Sequence, residues 1–147
     1  MKTNSKFMER LREGKFTLTG ELEPERTANF SEILEEAKKI EPYVIAANIT
    51  DNPGSFIRMD PLTVSVFIQQ KTTIEPIFQL TCRDKNRMGL ASTLLSAAAA
   101  QIKNILVLTG DHTTMGDLPD SKPVFDLDSA QLLKLAREMV DEKKAYG

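Results

Sequence analysis

The stretch Pro76-Ile77-Phe78-Gln79-Leu80-Thr81-Cys82-Arg83-Asp84 joins a mostly apolar run to a polar cluster. The run from Pro76 to Leu80 lacks the regular alternation of a half-buried strand, which is typical of a strand covered on both faces in a parallel sheet. Ligands of parallel α/β folds bind at the carboxyl ends of the strands. The stretch therefore predicts a buried parallel strand that delivers polar side chains to a binding site.

Three other runs have the same character and are predicted as strands: Phe16–Leu22, Tyr43–Ile49 and Asn104–Leu108. The four strands begin near residues 16, 43, 76 and 104, and the spacings of 27, 33 and 28 residues match one βα unit of a parallel sheet. A complete (β/α)₈ barrel at this spacing needs on the order of 240 residues. We therefore expect residues 1–147 to form the first four βα units of a TIM barrel, as an N-terminal half or a free-standing half-barrel. A small doubly wound sheet is the alternative, although the glycine-rich turn of that fold is missing after the first strand.

Helical periodicity follows each predicted strand. The first helix opens with Asn29 and Glu32 in a capping-box arrangement and stops before Pro42. The second begins at Asp60, with Pro61 at its first helical position. The fourth begins near Asp128. The third is expected to bury a stripe made of Met88, Ala91, Leu94, Leu95 and Ala98.

Composition excludes several classes of protein. With 41% hydrophobic and 27% charged residues, the chain is typical of a globular domain. Nineteen Lys and Arg against 21 Asp and Glu leave a net charge of -2, without the dense basic run that nucleic acid requires. No uninterrupted apolar segment resembles a signal peptide or a membrane span. The single cysteine, Cys82, allows no intrachain disulfide and no Cys-x-x-Cys metal site, so we expect a cytoplasmic protein without a metal.

Polar residues at the predicted strand ends are the candidates for function. Glu21, Thr50, Gln79 and Asp111 are spaced by 29, 29 and 32 residues, so we expect them at a similar height around one rim. Two carboxylates of different burial in one pocket can serve as a proton donor and a fixed negative charge. Ordinary loop carboxylates that cap helices remain the alternative reading.

Four further features are ambiguous on sequence alone. The run from Arg83 to Arg87 could hold a phosphate, but a solvated, self-paired charge cluster explains it equally well. His112 on a loop is more often a solvated side chain than a base, and Cys82 at a strand end is most simply a small buried hydrophobe. The segment Thr109–Leu127 is long for a loop and is predicted to contact a substrate or cofactor.

At these positions the sequence resembles the methylenetetrahydrofolate reductase family, flavin-dependent TIM barrels that reduce 5,10-methylenetetrahydrofolate to 5-methyltetrahydrofolate. The resemblance covers nearly all of the chain after residue 15, and its bacterial and archaeal branch is the most similar. It rests on six stretches in the same order: Glu21-Leu22-Glu23-Pro24-Glu25-Arg26, Asn48-Ile49-Thr50-Asp51-Asn52-Pro53, Arg58-Met59-Asp60-Pro61-Leu62, residues 79–87, Leu108-Thr109-Gly110-Asp111 and residues 122–129.

The resemblance implies a role for each strand-end residue. Glu21 occupies the place of the general acid that helps to open the methylene bridge of the folate. Asp111 matches the carboxylate that lies near the flavin and stabilises the cationic folate. FAD or FMN is the implied cofactor, and the electron donor is NAD(P)H or a protein. The implied flavin contacts are Thr50, Gln79, Thr81, Thr109, Gly110 and Asp111.

Two alternatives stay open. A pterin-binding methyltransferase barrel also places acidic and amide side chains at strand ends, but without a flavin. A non-catalytic half-barrel subunit or a truncated product is the other, because the family's remaining flavin and folate contacts lie in strands five to eight. We expect the 147 residues alone to be inactive and to act as an oligomer or a complex subunit, since open strand edges promote pairing between chains.

Overall fold

A computed structural model of the chain describes residues 5–141. Four parallel strands form one sheet in the order β1-β2-β3-β4. The strands are β1 (Thr19–Leu22), β2 (Ala46–Ile49), β3 (Glu75–Thr81) and β4 (Asn104–Leu108). The helices are α1 (Lys6–Arg12), α2 (Ser31–Ile40), α3 (Pro61–Lys71), α4 (Arg87–Ala99) and α5 (Ser129–Asp141), with short 3₁₀ turns at Pro53–Ser55 and Thr113–Met115.

Each strand is followed by a helix, which confirms the predicted four βα units and is the pattern of a partial TIM barrel. Two strand beginnings were predicted too early. The chain at Phe16 and Tyr43 is outside the strands, and both side chains are largely exposed. Around Tyr43 the backbone instead makes a turn at the end of α2, where the Tyr43 N–H donates to the Ile40 carbonyl.

The two faces of the sheet differ in chemistry. On the outer face, Leu22 and Ile49 pack against α2 and α3, while Phe78 and Leu80 pack against α4 and α5. Successive strand residues point to opposite faces, so their neighbours face the side that is the interior of a barrel. These inner positions include Glu21, Asn48, Gln79 and Thr81.

The helix starts follow their capping residues. The Asp60 carboxylate accepts a hydrogen bond from the Thr63 N–H at 2.9 Å and Pro61 is the first helical residue, as predicted. The capping box predicted for α2 is wrong. Phe30 is the N-cap of that helix without a side-chain cap, and Asn29 instead accepts from the Ser31 N–H in a local turn.

The buried face of α4 also differs from its prediction. Met88 is 78% exposed and Leu95 is 50% exposed, whereas Leu90 and Ala97 are buried. Apolar residues lie on every side of this helix, so their periodicity does not define one face. Contacts with β3 and α5 select the Leu90 face.

The helix α1 was absent from the predicted elements. Its first turn lies at the amino end of β3, where the Glu75 carboxylate accepts from the Lys6 N–H, the Phe7 N–H and the buried Ser5 hydroxyl. The same hydroxyl oxygen lies 2.6 Å from the Asn104 Oδ1. Burial alone would raise the pKa of Glu75, but these hydrogen bonds hold it below its ordinary value. The helix thus closes the end of the sheet opposite the predicted site.

Candidate functional site

A cavity of about 280 Å³ opens at the carboxyl ends of β3 and β4. Five of the predicted cofactor-binding residues line this one space. Glu21 and Thr50 are not among its lining residues. The full lining is Asp51, Pro53, Gln79, Thr81, Arg83, Leu108, Thr109, Gly110 and Asp111.

Strand register explains which predicted residues lie level. Paired residues differ by 27 between β1 and β2, by 29 between β2 and β3, and by 27 between β3 and β4. Thr50 therefore lies level with Gln79, but Glu21 pairs with Asn48, two residues lower. Asp111 follows the end of β4 on a loop. The expectation of one common height was wrong for Glu21 and also for Asp111, because Gln79 pairs with Leu106 and Asp111 follows five residues later. Similar spacing along the chain does not fix the register.

Thr50 carries an unsatisfied polar group. Its side chain is 5% exposed, and in the described part of the chain its Oγ1 has no hydrogen-bond partner. A buried hydroxyl without a partner costs free energy, roughly 1–3 kcal/mol. Such a group is explained where a bound molecule supplies the partner.

Glu21 lies on the inner face of the edge strand β1, and its side chain is exposed. Its chain neighbour Leu22 is 2% exposed on the outer face. The strand alternation therefore directs Glu21 towards the barrel interior and leaves its carboxylate in contact with water.

The loop after β4 packs closely against the end of β3. Gly110 has a φ of +97°, and a Cβ at this position would lie 3.1 Å from the Cβ atoms of both Arg83 and Thr81. The next residue, Asp111, accepts a hydrogen bond at Oδ2 from the Gly54 N–H at 2.9 Å. A glycine is thus required for the loop to reach the cavity, and the Asp111 carboxylate is held across it by the loop after β2.

Asp51 belongs to the site although sequence analysis did not select it. Its Oδ2 accepts from the Thr81 N–H at 2.8 Å and from the Thr81 Oγ1 at 3.0 Å, which ties the end of β2 to the end of β3. Burial raises the pKa of Asp51 above its ordinary value, against the effect of these hydrogen bonds. Its position one residue after Thr50 was the available signal.

Arg83 also belongs to the site, although sequence analysis considered it only as part of the charged run from Arg83 to Arg87. Its side chain is 2% exposed, and its Nε and Nη2 donate to the two carboxylate oxygens of Asp84 at 2.8 and 2.7 Å. The hydrogen bonds that Arg83 donates to Asp84, and the negative charges of Asp84, Asp51 and Asp111, raise the pKa of Arg83.

Both arginines of the charged run after β3 have carboxylate partners, one inside the run and one outside it. The buried Arg83 side chain forms an ion pair with Asp84, and Arg87 forms a two-point ion pair with Asp126. Arg87 holds the pKa of Asp126 at about 2. The Arg83–Asp84 pair agrees with a self-paired cluster, but Arg83 is buried rather than solvated and Arg87 is paired outside the run.

The remaining candidates have local structural explanations. His112 is exposed, and its Nδ1 lies 3.0 Å from the Thr114 Oγ1. Cys82 is fully buried in the outer core, and burial raises the pKa of its thiol, as expected of a buried hydrophobe. Within residues 5–141, no group of three or more His, Cys, Asp or Glu side chains is arranged to hold a metal ion. Over the same range, no helix is long and apolar enough to cross a membrane.

Comparison with known proteins adds one decisive finding. The family model described as methylenetetrahydrofolate reductase matches residues 6–145. A comparison with curated proteins gave no match. The family match spans almost the whole sequence and includes every residue that lines the cavity. The chain therefore belongs to the methylenetetrahydrofolate reductase family, whose members are TIM-barrel oxidoreductases of folate metabolism.

Proposed function

We propose that the cavity at the ends of β3 and β4 binds the ring system of FAD or FMN. The chain would then form one wall of an active site that reduces 5,10-methylenetetrahydrofolate to 5-methyltetrahydrofolate. The observation that carries this proposal is the cavity lining: Gln79, Thr81, Thr109, Gly110 and Asp111 all face one space.

The chemistry of the site fits a flavin ring. Its pyrimidine edge alternates hydrogen-bond donors and acceptors, and the Gln79 amide offers both kinds of group. The unsatisfied Thr50 hydroxyl lies level with Gln79 but outside the cavity lining, so it would reach a bound ring only if the ring extends towards β2. Small-molecule pockets measure roughly 300–1,000 Å³, so a cavity of about 280 Å³ matches a ring system better than a whole dinucleotide. A bound flavin supplies the hydride chemistry.

Asp111 would stabilise positive charge on the folate. Its carboxylate is held by the Gly54 N–H, so it is already in place before the substrate arrives. A fixed negative charge stabilises a cationic centre most strongly where water is excluded.

Glu21 would act on the folate as the general acid. Its carboxylate faces the barrel interior and contacts water, so it can take up a proton between turnovers. The register places it two residues below Thr50 and Gln79, on the adjoining part of the inner face.

Four further βα units would complete the site, supplied by the same chain or by a partner. Residues 5–141 provide four of the eight units of the family barrel, and Leu106 on the inner face is 41% exposed. NAD(P)H or a protein is the proposed electron donor. The proposed location is the cytoplasm, where a lone thiol such as Cys82 stays reduced.

The test compares Glu21→Gln with the control Glu25→Gln, an exposed carboxylate beyond the end of β1. In the complete barrel, Glu21→Gln should slow folate reduction by about 10²–10⁴-fold while flavin reduction by the donor is unchanged. Equal losses in both half-reactions would contradict the role of Glu21. A colourless protein that binds folate but no flavin would favour the pterin-binding methyltransferase alternative.

A further inference from the structure

Arg83 is a buried cation with no role in the proposed reaction. A buried charge is costly unless it is paired and hydrogen-bonded, so its place between three loops needs a reason. Asp84 occupies one side of the guanidinium with two hydrogen bonds. The remaining nitrogen, Nη1, is directed towards the other two loops.

That nitrogen joins the loops after β2 and β4. Nη1 donates to the main-chain carbonyl oxygens of Asn52 and Asp111, each at 3.3 Å. The stem of the same side chain packs 3.1 Å from where a Cβ of Gly110 would lie. Arg83 therefore contacts the main chain on both sides of the cavity that it lines.

We infer that Arg83 is a positioning residue for Asp111, an inference that rests on the proposed function. The guanidinium sets the place of the Asp111 main chain, and the Gly54 N–H then fixes the carboxylate. A planar fork is required, because one group must hold a carboxylate at two points and still reach two carbonyl oxygens. A lysine has one nitrogen and a flexible stem, so it keeps the charge but not this geometry.

The test uses Arg83→Met and Arg83→Lys in the full chain, with Arg137→Met as the control. Arg137 also pairs with an aspartate, Asp141, but it lies on α5 and does not line the cavity. Two amide protons report on the site without any cofactor. The Gly54 N–H donates to the Asp111 carboxylate, and the Val124 N–H donates to the main-chain carbonyl of Arg83, which every variant retains.

Both Arg83 variants should accelerate hydrogen exchange at Gly54 by at least about tenfold and leave Val124 protected. The dissociation constant for FMN or FAD, measured by flavin fluorescence, should rise by about 10–100-fold, since small misplacements of a site are costly. The Arg137 control should match the unmodified chain in both measurements.

Three results would each overturn the inference. They are unchanged exchange at Gly54 in the Arg83 variants, equal loss of protection at Gly54 and Val124, and an Arg83→Lys variant with the same exchange rate and flavin dissociation constant as the unmodified chain. If Arg83→Met does not fold, Asp84→Asn tests the same fork at a side chain that is 41% exposed. Asp84→Asn should also accelerate hydrogen exchange at the Gly54 N–H. Should the complete barrel bind neither FMN nor FAD while exchange at Gly54 still responds, the flavin proposal fails and the positioning role stands.

Discussion

Gly110 gives the sharpest test of the geometry around the cavity. Replacement by alanine places a residue with a Cβ at a φ of +97°, which costs an L-residue roughly 1–2 kcal/mol. The new methyl group would lie 3.1 Å from the Cβ atoms of Arg83 and Thr81, and overpacking of this kind costs about 1–3 kcal/mol. Gly110→Ala should therefore lower the free energy of unfolding by about 2–5 kcal/mol.

Gly14→Ala is the matched control. Gly14 also has a positive φ, +66°, but no atom lies within 4 Å of an added Cβ, so only the conformational cost remains. Urea unfolding followed by circular dichroism measures both variants. We expect Gly110→Ala to unfold at a clearly lower urea concentration than Gly14→Ala. Equal midpoints would show that the loop after β4 does not press against the end of β3.

Three further predictions concern the titrating side chains. Glu75→Gln should lower the urea midpoint at pH 7 and make that midpoint depend less on pH in the acid range. The pKa of Glu75 is lowered in the folded chain, so its ionised carboxylate stabilises the fold above pH 4.5, the ordinary pKa of a glutamate. This stability is lost as the pH falls through the folded-state pKa. Urea midpoints between pH 2 and pH 7 measure this, and parallel curves for both proteins would contradict it. Asp51→Asn should raise the urea midpoint at pH 7, because the amide oxygen can still accept from Thr81 while the cost of a buried charge is removed. The pKa of Asp51 is raised in the folded chain, so the unmodified chain loses stability as the pH rises above 3.8. The stability gained by Asp51→Asn should therefore vanish below pH 3.8. A lower midpoint for Asp51→Asn at pH 7 would refute this sign. Cys82 should react with a thiol reagent at least about 100-fold more slowly in the folded chain than in urea, since its thiol is buried and its pKa is raised; similar rates would place it at the surface.

The strand pattern was predictable because apolar runs and βα spacing are local properties of the sequence. The run at Pro76–Leu80 became β3, and the polar residues after β3 and β4 converged on one cavity. The helix α1 was not predictable in this way. It buries none of its seven residues and is held by Glu75, about 70 positions away in sequence. No local periodicity records a contact of that kind.

Arg83 and Asp51 show the same limit within the site. Each stands in a polar run, where a local reading favours solvated side chains. The burial of Arg83 and the half-buried position of Asp51 follow from the meeting of three loops, which depends on the strand register. The register also sets the height of Glu21, because β1 and β2 pair at an offset of 27 residues while β2 and β3 pair at 29.

The central claim is that the cavity beside Gln79 and Gly110 holds a flavin ring. Titration of FMN and FAD into the isotope-labelled chain, followed through backbone amide shifts, tests it most directly. We predict that the largest shifts occur at the cavity-lining residues Gln79, Thr81, Thr109 and Gly110, with little change at Leu95 on the distant α4 surface. Saturable flavin binding that shifts α4 and α5 but leaves the four cavity amides unchanged would contradict the account.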